Sequence, residues 1–364
     1  MMPKEIVFVA PYPTDRTIGE GMMQRVKHID DCLKGHRRTY LNIRLVRAFR
    51  KTEIREGQLT ILTLNLFTHF SLILQIFRQA DLVYIHSIFN ALTALPFLKL
   101  NNQKTKVALD VHGVVPEELA FSGEIKKSRL FSWVEQEAVP FVDTFIYVTH
   151  KMKGYYLQKH PDTRNRNHLV YSIKPNMPAG LDLGLLNKTR EELGLTCSEV
   201  VFIYSGSAQK WQNVDLMFQC IQRLQNSNYR FIILSGEVEA VKAVAKQVGC
   251  NTAGFIFRSV PPSMLGYYYA LADYGFILRD DHILNRVASP TKLIEYLYFG
   301  ITPIVKLQEI GDFADLGYEF LDYKSLNDGL TKRKSQKNKE IVLQLLQDPL
   351  TIEEALFQAE ASGQ

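Results

Sequence analysis

The chain has 364 residues, enough for two domains of ordinary size, and 46% of them are hydrophobic, which excludes an intrinsically disordered chain. Its net charge of +5 is uneven, because residues 1–175 hold 25 Lys and Arg against 16 Asp and Glu, and the remainder holds 18 against 22. The excess lies largely between His36 and Arg55. Such a basic half could bind nucleic acid, anionic lipid headgroups or a phosphate-bearing substrate, or simply be a solvated face.

Short apolar runs alternate with helix-length amphipathic segments through the first half. The predicted strands are Glu5–Ala10, Leu59–Leu64, Leu82–His86, Val107–Asp110 and Thr144–Val148, and the predicted helices are Gly21–Leu33, Asn90–Leu98 and Ser128–Val139. Most strand runs are almost continuously apolar, as in parallel strands that are buried on both faces, whereas Thr60 and Thr63 interrupt the second run. This alternation predicts a doubly wound α/β domain.

The alternation breaks at Lys174–Gly180, where two prolines and a glycine indicate a linker, and then restarts. The second set of predicted strands is Val200–Tyr204, Phe231–Leu234, Ala253–Phe257, Tyr274–Leu278 and Thr302–Val305, with helices at Val214–Gln225, Glu239–Val248, Pro262–Ala272 and Thr291–Phe299. We therefore expect two Rossmann-like domains, residues 1–174 and 175–340, and a C-terminal helical segment, residues 341–364, that could pack back on the first domain. Two such domains facing each other would place the carboxyl ends of both sheets on one cleft, where α/β sheets bind ligands.

Several features favour a cytoplasmic protein. No apolar run reaches the roughly 20 residues that span a bilayer, and Met1 to Pro11 is interpreted as a buried strand rather than a secretory signal. The four cysteines are scattered and include no C-x-x-C pair, a pattern typical of reduced thiols. The sequence contains no D-x-D triplet and no His, Asp or Glu cluster with metal-ligand spacing, so we expect no metal site.

Two stretches of the first half follow predicted strands and carry candidate ligands. Gly19 and Gly21 could let backbone amides approach an anion at the start of a helix, although Gln24 stands where a dinucleotide fingerprint has its third glycine. His112 follows the strand that ends at Asp110 and could bond a sugar hydroxyl or a phosphate. An ordinary turn and a structural histidine are the alternatives.

A similar strand–glycine–helix pattern occurs in the second half. Gly206 and Ser207 end a strand, and Lys210 could supply a cation before the next helix. An ordinary turn between strand and helix explains the same pattern equally well.

The most informative stretch runs from Arg279 to Tyr296. Ser289 is the predicted N-cap of a helix and Pro290 its first residue, so free amides at Thr291 and Lys292 would point at a ligand above the helix end.

The side chains of this stretch suit the same kind of ligand. Arg279 or Lys292 could add a charge-assisted hydrogen bond to an anion, and Glu295 could accept two hydrogen bonds from the vicinal hydroxyls of a ribose. The alternative is a capped helix with a surface acid, but the apolar neighbours Leu293 and Ile294 favour a buried carboxylate with a partner.

These stretches together resemble glycosyltransferase family 4, the retaining enzymes of GT-B fold, over most of the chain. The residues that carry the resemblance are Gly19-Glu20-Gly21, Asp110-Val111-His112-Gly113, the run Glu135 to Val148, Lys174-Pro175-Asn176, Ser205-Gly206-Ser207 with Trp211, and Ala288-Ser289-Pro290-Thr291-Lys292 through Glu295 and Gly300. The family has a subgroup with this last "ASPTK" style.

The resemblance implies a role for each matching position. Glu295 would hold the ribose of a nucleotide sugar, and Thr291 and Lys292 with the helix amides would hold its diphosphate. Arg279 would be a further phosphate ligand, and His112 would contact the transferred sugar. Gly19 and Gly21 would lie near phosphate or acceptor. Gly206, Ser207 and Lys210, together with Ser289 and Pro290, would complete the donor site.

The sequence departs from the family at three positions. Val287 stands where the E-x7-E motif begins with an acid, Ser207 stands at the usual arginine, and Gln212 stands at the usual lysine. Missing cations weaken the stabilisation of a leaving diphosphate unless others replace them, and Arg279, Lys210 and Lys292 are the candidates.

We therefore expect a metal-independent transfer from a nucleotide sugar to a glycan or lipid-linked glycan in cell-surface polysaccharide assembly, such as lipopolysaccharide or capsule, and the resemblance implies that it proceeds with retention. The nucleotide sugar is a co-substrate, no cofactor is expected, and the basic half could contact the anionic inner face of the membrane. The alternatives are a sugar-nucleotide epimerase of the same fold and a non-catalytic glycan- or partner-binding member. A nicotinamide oxidoreductase and a nucleic-acid protein have weaker support, because the sequence contains neither a complete dinucleotide-binding motif nor a recognisable nucleic-acid-binding motif.

Overall fold

A computed structural model describes residues 2–14, 17–18, 21–101, 105–172, 180–346 and 351–357. The chain divides into two compact units, Met1–Ile173 with Pro349–Gln364, and Lys174–Asp348. The predicted linker lies outside the described residues apart from Gly180. Among the described helices, none combines the length and the apolar character needed to cross a bilayer.

The first unit contains an eight-stranded sheet. Its strands are β1 (Glu5–Val9), β2 (Arg37–Arg44), β3 (Thr52–Glu56), β4 (Leu59–Asn65), β5 (Leu82–His86), β6 (Lys106–Val111), β7 (Thr144–Tyr147) and β8 (Asn167–Val170). Their order is β3-β4-β2-β1-β5-β6-β7-β8, and every pair is parallel except β3 with β4. The strand order reverses between β1 and β5, which is where doubly wound sheets bind ligands.

Helices connect these strands. They are α1 (Gly21–Cys32), α2 (Phe70–Gln79), α3 (Ser87–Leu100), α4 (Val115–Phe121), α5 (Ile125–Ala138) and α6 (His150–Lys159). The core on one side of the sheet joins Phe8 of β1 and Tyr84 of β5 to Val26 and Ile29 of α1, all of them fully buried. Continuous burial of β1 and β5 follows from their almost uninterrupted apolar sequences.

The second unit contains a six-stranded, fully parallel sheet. Its strands are β9 (Val200–Ser205), β10 (Tyr229–Leu234), β11 (Ile256–Arg258), β12 (Tyr274–Ile277), β13 (Thr302–Val305) and β14 (Leu321–Asp322), in the order β11-β10-β9-β12-β13-β14. Its helices are α7 (Leu183–Glu192), α8 (Val214–Ile221), α9 (Val238–Gln247), α10 (Pro262–Leu271), α11 (Ile283–Arg286), α12 (Thr291–Tyr298) and α13 (Gln336–Leu346). Here the order reverses between β9 and β12.

The last described helix, α14 (Ile352–Phe357), belongs to the first unit. Ile352 and Phe357 join the same core as α1, and the Phe357 ring lies 5.2 Å from the His36 ring. His36 Nε2 also lies 3.1 Å from Glu353 Oε1. The end of the chain therefore contributes core side chains to the unit with which it begins.

Ten of the fourteen strands described here were predicted, although several with shifted ends, and the doubly wound α/β organisation of both units is confirmed. The strand β4 forms despite its threonines. The basic segment was not predicted to be structured, yet it contains β2, in which Arg37 and Arg44 at the ends are exposed while Tyr40 and Leu41 are buried. This strand was not predicted because the charged residues at its ends interrupt the apolar pattern of its buried centre.

Candidate functional site

The candidate site of the second unit lies where β9 and β12 end side by side. The segment after β9 carries Gly206 and Ser207, and the segment after β12 carries Arg279 and leads through α11 to α12. Both strands are parallel, so both segments leave the same edge of the sheet at the reversal of strand order. This is the place at which open α/β sheets bind ligands.

Gly206 is required by the geometry of this edge. Its φ is 152°, a backbone conformation that residues with a side chain rarely adopt. A Cβ atom here would lie 3.1 Å from Tyr204 Oη and 3.3 Å from Lys292 Nζ, closer than usual contacts. Tyr204 Oη in turn donates a hydrogen bond of 2.6 Å to the carbonyl of Ser207, which fixes the loop.

Lys292 directs its ammonium group toward this loop from the first turn of α12. Its Nζ lies 4.3 Å from the centre of the Tyr204 ring and donates a hydrogen bond of 3.1 Å to Gln212 Oε1. Burial and the nearby charge of Arg279 lower the pKa of Lys292 to about 7, while the Glu295 carboxylate acts in the opposite direction. Gln212, which stands at the family's lysine position, therefore orients a lysine that comes from another element.

Glu295 lies one turn further along α12. The hydroxyl of Tyr269 on α10 lies 2.9 Å from Glu295 Oε2, to which it donates, and 2.7 Å from Ser205 Oγ at the end of β9. Burial raises the pKa of Glu295, whereas the Tyr269 hydrogen bond and the charge of Lys292 lower it. Glu295 is thus a partly buried, hydrogen-bonded carboxylate rather than the surface acid of the alternative interpretation.

Arg279 is held from the side of α11. Its Nη1 donates to Asn285 Oδ1 at 3.2 Å, and the buried Asn285 donates from Nδ2 to the carbonyl of Asp280 at 2.9 Å. Val287, where the family has an acid, is only 2% exposed and packs into the protein. An acid at this position would be buried.

The start of α12 differs by one residue from the prediction. The N-cap is Pro290, with an extended ψ of 118°, and the first helical residue is Thr291, so Ser289 is not the N-cap and no side chain caps the helix. The proline carbonyl accepts from the amides of Leu293 and Ile294. The amides of Thr291 and Lys292 precede these bonds and have no partner within the helix, as at every helix start.

The remaining predicted donor ligands differ in placement. Ser207 is partly buried in the loop, while Lys210 is exposed on a short 3-10 turn, Lys210–Gln212. Gly21 is the exposed first residue of α1, and a Cβ atom there would meet nothing within 4 Å, so the geometry of the described residues does not require a glycine. Gly19 lies outside the described residues.

His112 lies in the first unit, immediately after β6. Beneath it, the buried Asp110 accepts hydrogen bonds from Arg25 Nε at 2.9 and 2.8 Å and from the Tyr84 hydroxyl at 3.0 Å. His86 Nδ1 lies 3.3 Å from the same carboxylate. Although burial alone would raise the pKa of Asp110, the guanidinium of Arg25 holds it well below the usual range.

His112 itself is partly buried, and its Nε2 has no hydrogen-bond partner in the part of the chain that the structure describes. Burial lowers its pKa to about 4, against the opposing charge of Asp110, so the imidazole is neutral near pH 7. Ligand atoms of His86, Asp110 and His112 lie within 4.8 Å of one another. Arg25 already binds the carboxylate of that group, and its positive charge opposes a metal cation there.

Sequence reasoning missed the residues that hold the predicted ones. Tyr204, Tyr269 and Gln212 contact Lys292 or Glu295, and Arg25 and Tyr84 bind the carboxylate beneath His112. The only sequence signal for Tyr269 is the run of three tyrosines at 267–269, since a buried tyrosine hydroxyl needs a partner. That signal does not say which tyrosine is buried or what it contacts.

Comparison with known proteins supports the fold. No protein-family model and no curated protein sequence matches the chain. Solved structures do: sucrose-phosphate synthase from Thermosynechococcus elongatus is 12% identical with a TM-score of 0.66, and the match covers 98% of each chain. Anabaena HepE, solved in complex with UDP-glucose, is 13% identical over 98% of this chain and 94% of its own, with a TM-score of 0.59.

A third similar structure is WaaG, a glycosyltransferase involved in lipopolysaccharide biosynthesis, which is 13% identical over 96% of this chain and 93% of its own, with a TM-score of 0.59. Identities this low show the shared fold and leave the activity to be argued from the site. The chain therefore has the GT-B fold, built from two doubly wound α/β units, and the predicted fold class is confirmed.

Proposed function

We propose that the chain is a glycosyltransferase that transfers a sugar from a nucleoside-diphosphate sugar to a glycan or a lipid-linked glycan. The observation that carries the proposal is the convergence of the Gly206 bend, the Lys292 ammonium and the Glu295 carboxylate at one sheet edge. A cation and a carboxylate on the same helix face suit the two ends of a ribose diphosphate.

Each part of the donor has a matching group. Glu295 accepts hydrogen bonds from the ribose hydroxyls, and the amides of Thr291 and Lys292 bind the diphosphate at the helix start. Lys292 and Arg279 supply charge, and Gly206 allows the backbone to approach the phosphates. Ser207, Lys210, Ser289 and Pro290 line the same site, and the exposed Lys210 is the least constrained of them.

The chemical step breaks the bond between the anomeric carbon and the diphosphate oxygen and forms a bond from that carbon to the acceptor hydroxyl oxygen. The electron pair leaves with the diphosphate, which takes up the proton of the hydroxyl. The growing negative charge is stabilised by Lys292, by Arg279 and by the start of α12. We propose that these groups act without a metal ion and that the transfer proceeds with retention, as the resemblance implies. No cofactor is proposed beyond the nucleotide sugar itself.

His112 is proposed to contact the transferred sugar. Its neutral imidazole can donate to a hydroxyl through one nitrogen and accept through the other. Arg25 and Tyr84 donate hydrogen bonds to the nearby Asp110, and His86 lies beside the same carboxylate, so the surroundings of His112 are well defined. In this proposal His112 orients the sugar and does not exchange a proton with it.

UDP is the first nucleotide to test, because Anabaena HepE was solved with UDP and with UDP-glucose. Cell-surface polysaccharide assembly is the proposed setting, since WaaG is involved in lipopolysaccharide biosynthesis. A cytoplasmic chain with peripheral contact at the inner membrane face is proposed from the basic first half of the sequence.

The test is thermal unfolding of the full chain in the presence of UDP-, GDP- and ADP-sugars. We expect one nucleotide to raise the melting temperature, because a ligand that binds only the folded state stabilises it. Glu295→Ala should abolish the shift, while Glu239→Ala, an exposed acid at the start of α9, should keep it. If none of the nucleotides protects the chain, the transferase proposal is wrong.

Slow hydrolysis of the bound donor separates an enzyme from a binding protein. A transferase without acceptor should release nucleotide and free sugar slowly, and a non-catalytic member should bind without turnover. An epimerase would convert the donor into a stereoisomer without releasing nucleotide. Chromatography of the same incubation distinguishes the three outcomes.

A further inference from the structure

An exposed apolar and basic surface lies at the carboxyl end of β2 in the first unit. The segment after this strand exposes Val46 at 77%, Phe49 at 65% and Leu45 at 41%. Phe67, which follows the neighbouring strand β4, is 71% exposed. Large apolar side chains grouped in water mark an interaction site rather than ordinary surface.

Arginines alternate with these apolar side chains. Arg44, Arg47 and Arg50 are exposed, and none forms an ion pair within the described ranges. By contrast, the cations that follow, Lys51 and Arg55, both pair with Glu53. We call the seven residues Arg44, Leu45, Val46, Arg47, Phe49, Arg50 and Phe67 the apolar-basic surface.

One buried side chain holds the two parts of this surface together. Asn65, at the end of β4, donates from Nδ2 to the carbonyls of Leu45 at 3.3 Å and Arg47 at 3.0 Å. Its Oδ1 accepts from the amide of Phe67 at 3.0 Å. Ala48 adopts a φ of 64°, which turns the loop tightly. The exposed side chains therefore project from a defined loop.

This combination fits a bilayer that carries anionic lipids. Arginines are attracted to anionic headgroups, and apolar side chains gain by entering the boundary between headgroups and acyl chains. A second copy of the chain would bring a like set of arginines against them, so self-association is opposed by charge.

The position of the surface is also suited to a lipid-linked substrate. The strands β2, β4 and β6 are connected through parallel pairing, so Arg44, Asn65 and His112 leave the same edge of the sheet. Docking at this edge would bring the membrane to the side of the first unit that carries His112.

We propose that the apolar-basic surface docks the chain on an anionic bilayer, with Val46, Phe49 and Phe67 entering the headgroup region and Arg44, Arg47 and Arg50 on lipid phosphates. The inference deepens the proposed function by assigning a lipid-linked class of acceptor, and that assignment rests on the proposed function. The docking is measured without any nucleotide, so its failure and the failure of donor binding are separate results.

The test is co-sedimentation of the full chain with vesicles of phosphatidylcholine, with and without phosphatidylglycerol. We expect binding only with the anionic lipid and a steep loss of binding as salt is raised. Replacing Arg44, Arg47 and Arg50 by Gln should weaken binding on the order of 100-fold, because each of the three cations loses its attraction to the anionic headgroups. Val46→Ser with Phe49→Ser should weaken it by about tenfold or more.

The matched control lies on α5, which also exposes apolar side chains beside cations. Leu130 is 42% exposed, close to the value for Leu45, and Trp133 is 48% exposed. Leu130→Ser with Trp133→Ser should leave vesicle binding within about twofold of the parent chain, because these exposed residues lie outside the apolar-basic surface. If this control weakens binding as much as the Val46 and Phe49 changes, the assignment to the apolar-basic surface is overturned.

A gain of signal completes the test. Phe49→Trp should give blue-shifted emission on adding anionic vesicles, while Leu183→Trp, an exposed site in the second unit, should give none. Unchanged emission for Phe49→Trp, binding that is equal for neutral vesicles, or oligomers that dissociate in the Val46 and Phe49 variant would each overturn the proposal. So would tight binding of an oligonucleotide without any vesicle binding.

Discussion

The hydroxyl of Tyr269 donates a hydrogen bond to Glu295 Oε2 at 2.9 Å and lies 2.7 Å from Ser205 Oγ. One buried side chain thus connects α10 and the end of β9 to the acid of α12. A hydrogen bond to the charged form of a carboxylate lowers its pKa, and here it counteracts burial. Tyr269 therefore helps to keep Glu295 ionised and leaves Oε1 for a ligand.

Tyr269→Phe should weaken nucleotide binding by about tenfold or more, because it removes the hydrogen bond to the Glu295 carboxylate. A hydrogen bond to a charged group contributes about 1.5–3 kcal/mol. The pKa of Glu295 should rise further without the donor, so binding should be lost at higher pH as the solution is acidified. Isothermal titration across pH measures both effects. Tyr268→Phe, the neighbouring residue, is the control and should change neither.

The discrimination between ribose and deoxyribose should fall in the same variant. A purely structural role for Tyr269 would weaken the ribo- and 2′-deoxyribonucleotide equally and leave the acid limb where it is. That result would contradict the positioning role.

Lys292 should give nucleotide binding a dependence on alkaline pH. Its pKa of about 7 means that it is protonated below neutrality and increasingly neutral above it. A diphosphate binds the protonated form, so the apparent affinity should fall by up to about tenfold per pH unit above pH 7, until the raised pKa of the complex is exceeded. Lys292→Arg stays charged and should remove this limb, which titrations from pH 6 to 9 would show. An alkaline limb that persists in Lys292→Arg would assign the titration to another group.

Gly206→Ala should weaken nucleotide binding and also destabilise the chain by about 1–3 kcal/mol, the usual cost of a strained backbone. The added methyl group would meet Tyr204 Oη and Lys292 Nζ at less than ordinary contact distance. Gly236→Ala is the control, because Gly236 lies two residues after the end of the neighbouring strand β10 and has nothing within 4 Å of its Cβ position. Chemical denaturation and titration of both variants check the prediction. Equal effects at the two glycines would contradict the close approach at Gly206.

Asp110→Asn should reduce the free energy of unfolding by about 3–5 kcal/mol, because it leaves the buried Arg25 without its anionic partner. Since the folded-state pKa of Asp110 is depressed, this contribution is complete above its unfolded value of about 3.9 and is lost as the pH falls below it. Urea unfolding at pH 7 and at pH 3 measures both. Asp31→Asn, on the exposed side of α1, should change stability by less than about 0.5 kcal/mol. Comparable losses for the two variants would contradict the buried pair.

The strands that the sequence predicted best are those whose burial is continuous. β1, β5 and β9 are apolar apart from one terminal residue each, and every residue but Glu5 is buried, so composition alone identifies them. β2 was missed because Arg37 and Arg44 flank its buried centre, and β8 was missed because it is only partly buried along its length. Burial by neighbouring strands, which no local pattern records, decides such cases.

The site was predictable to the extent that one chain segment carries it. Lys292 and Glu295 lie on one helix, and a capped helix after a buried strand is a local pattern. The groups that hold them are distant in sequence, since Gln212 lies 80 residues before Lys292 and Tyr269 lies 26 residues before Glu295. Only the folded sheet brings these partners together. The start of α12 was predicted one residue too early, with Ser289 as the N-cap in place of Pro290.

The central claim is that the edge formed by Gly206, Lys292 and Glu295 binds a nucleoside diphosphate. Calorimetric titration of the full chain with UDP, GDP and ADP, in parallel with Glu295→Ala and Lys292→Ala, tests it most directly. The account predicts that one of these nucleotides binds the parent chain and binds each variant at least about tenfold more weakly, the cost of about 1.4 kcal/mol. Binding that is unaffected by both substitutions, or no binding of any nucleotide, would contradict it.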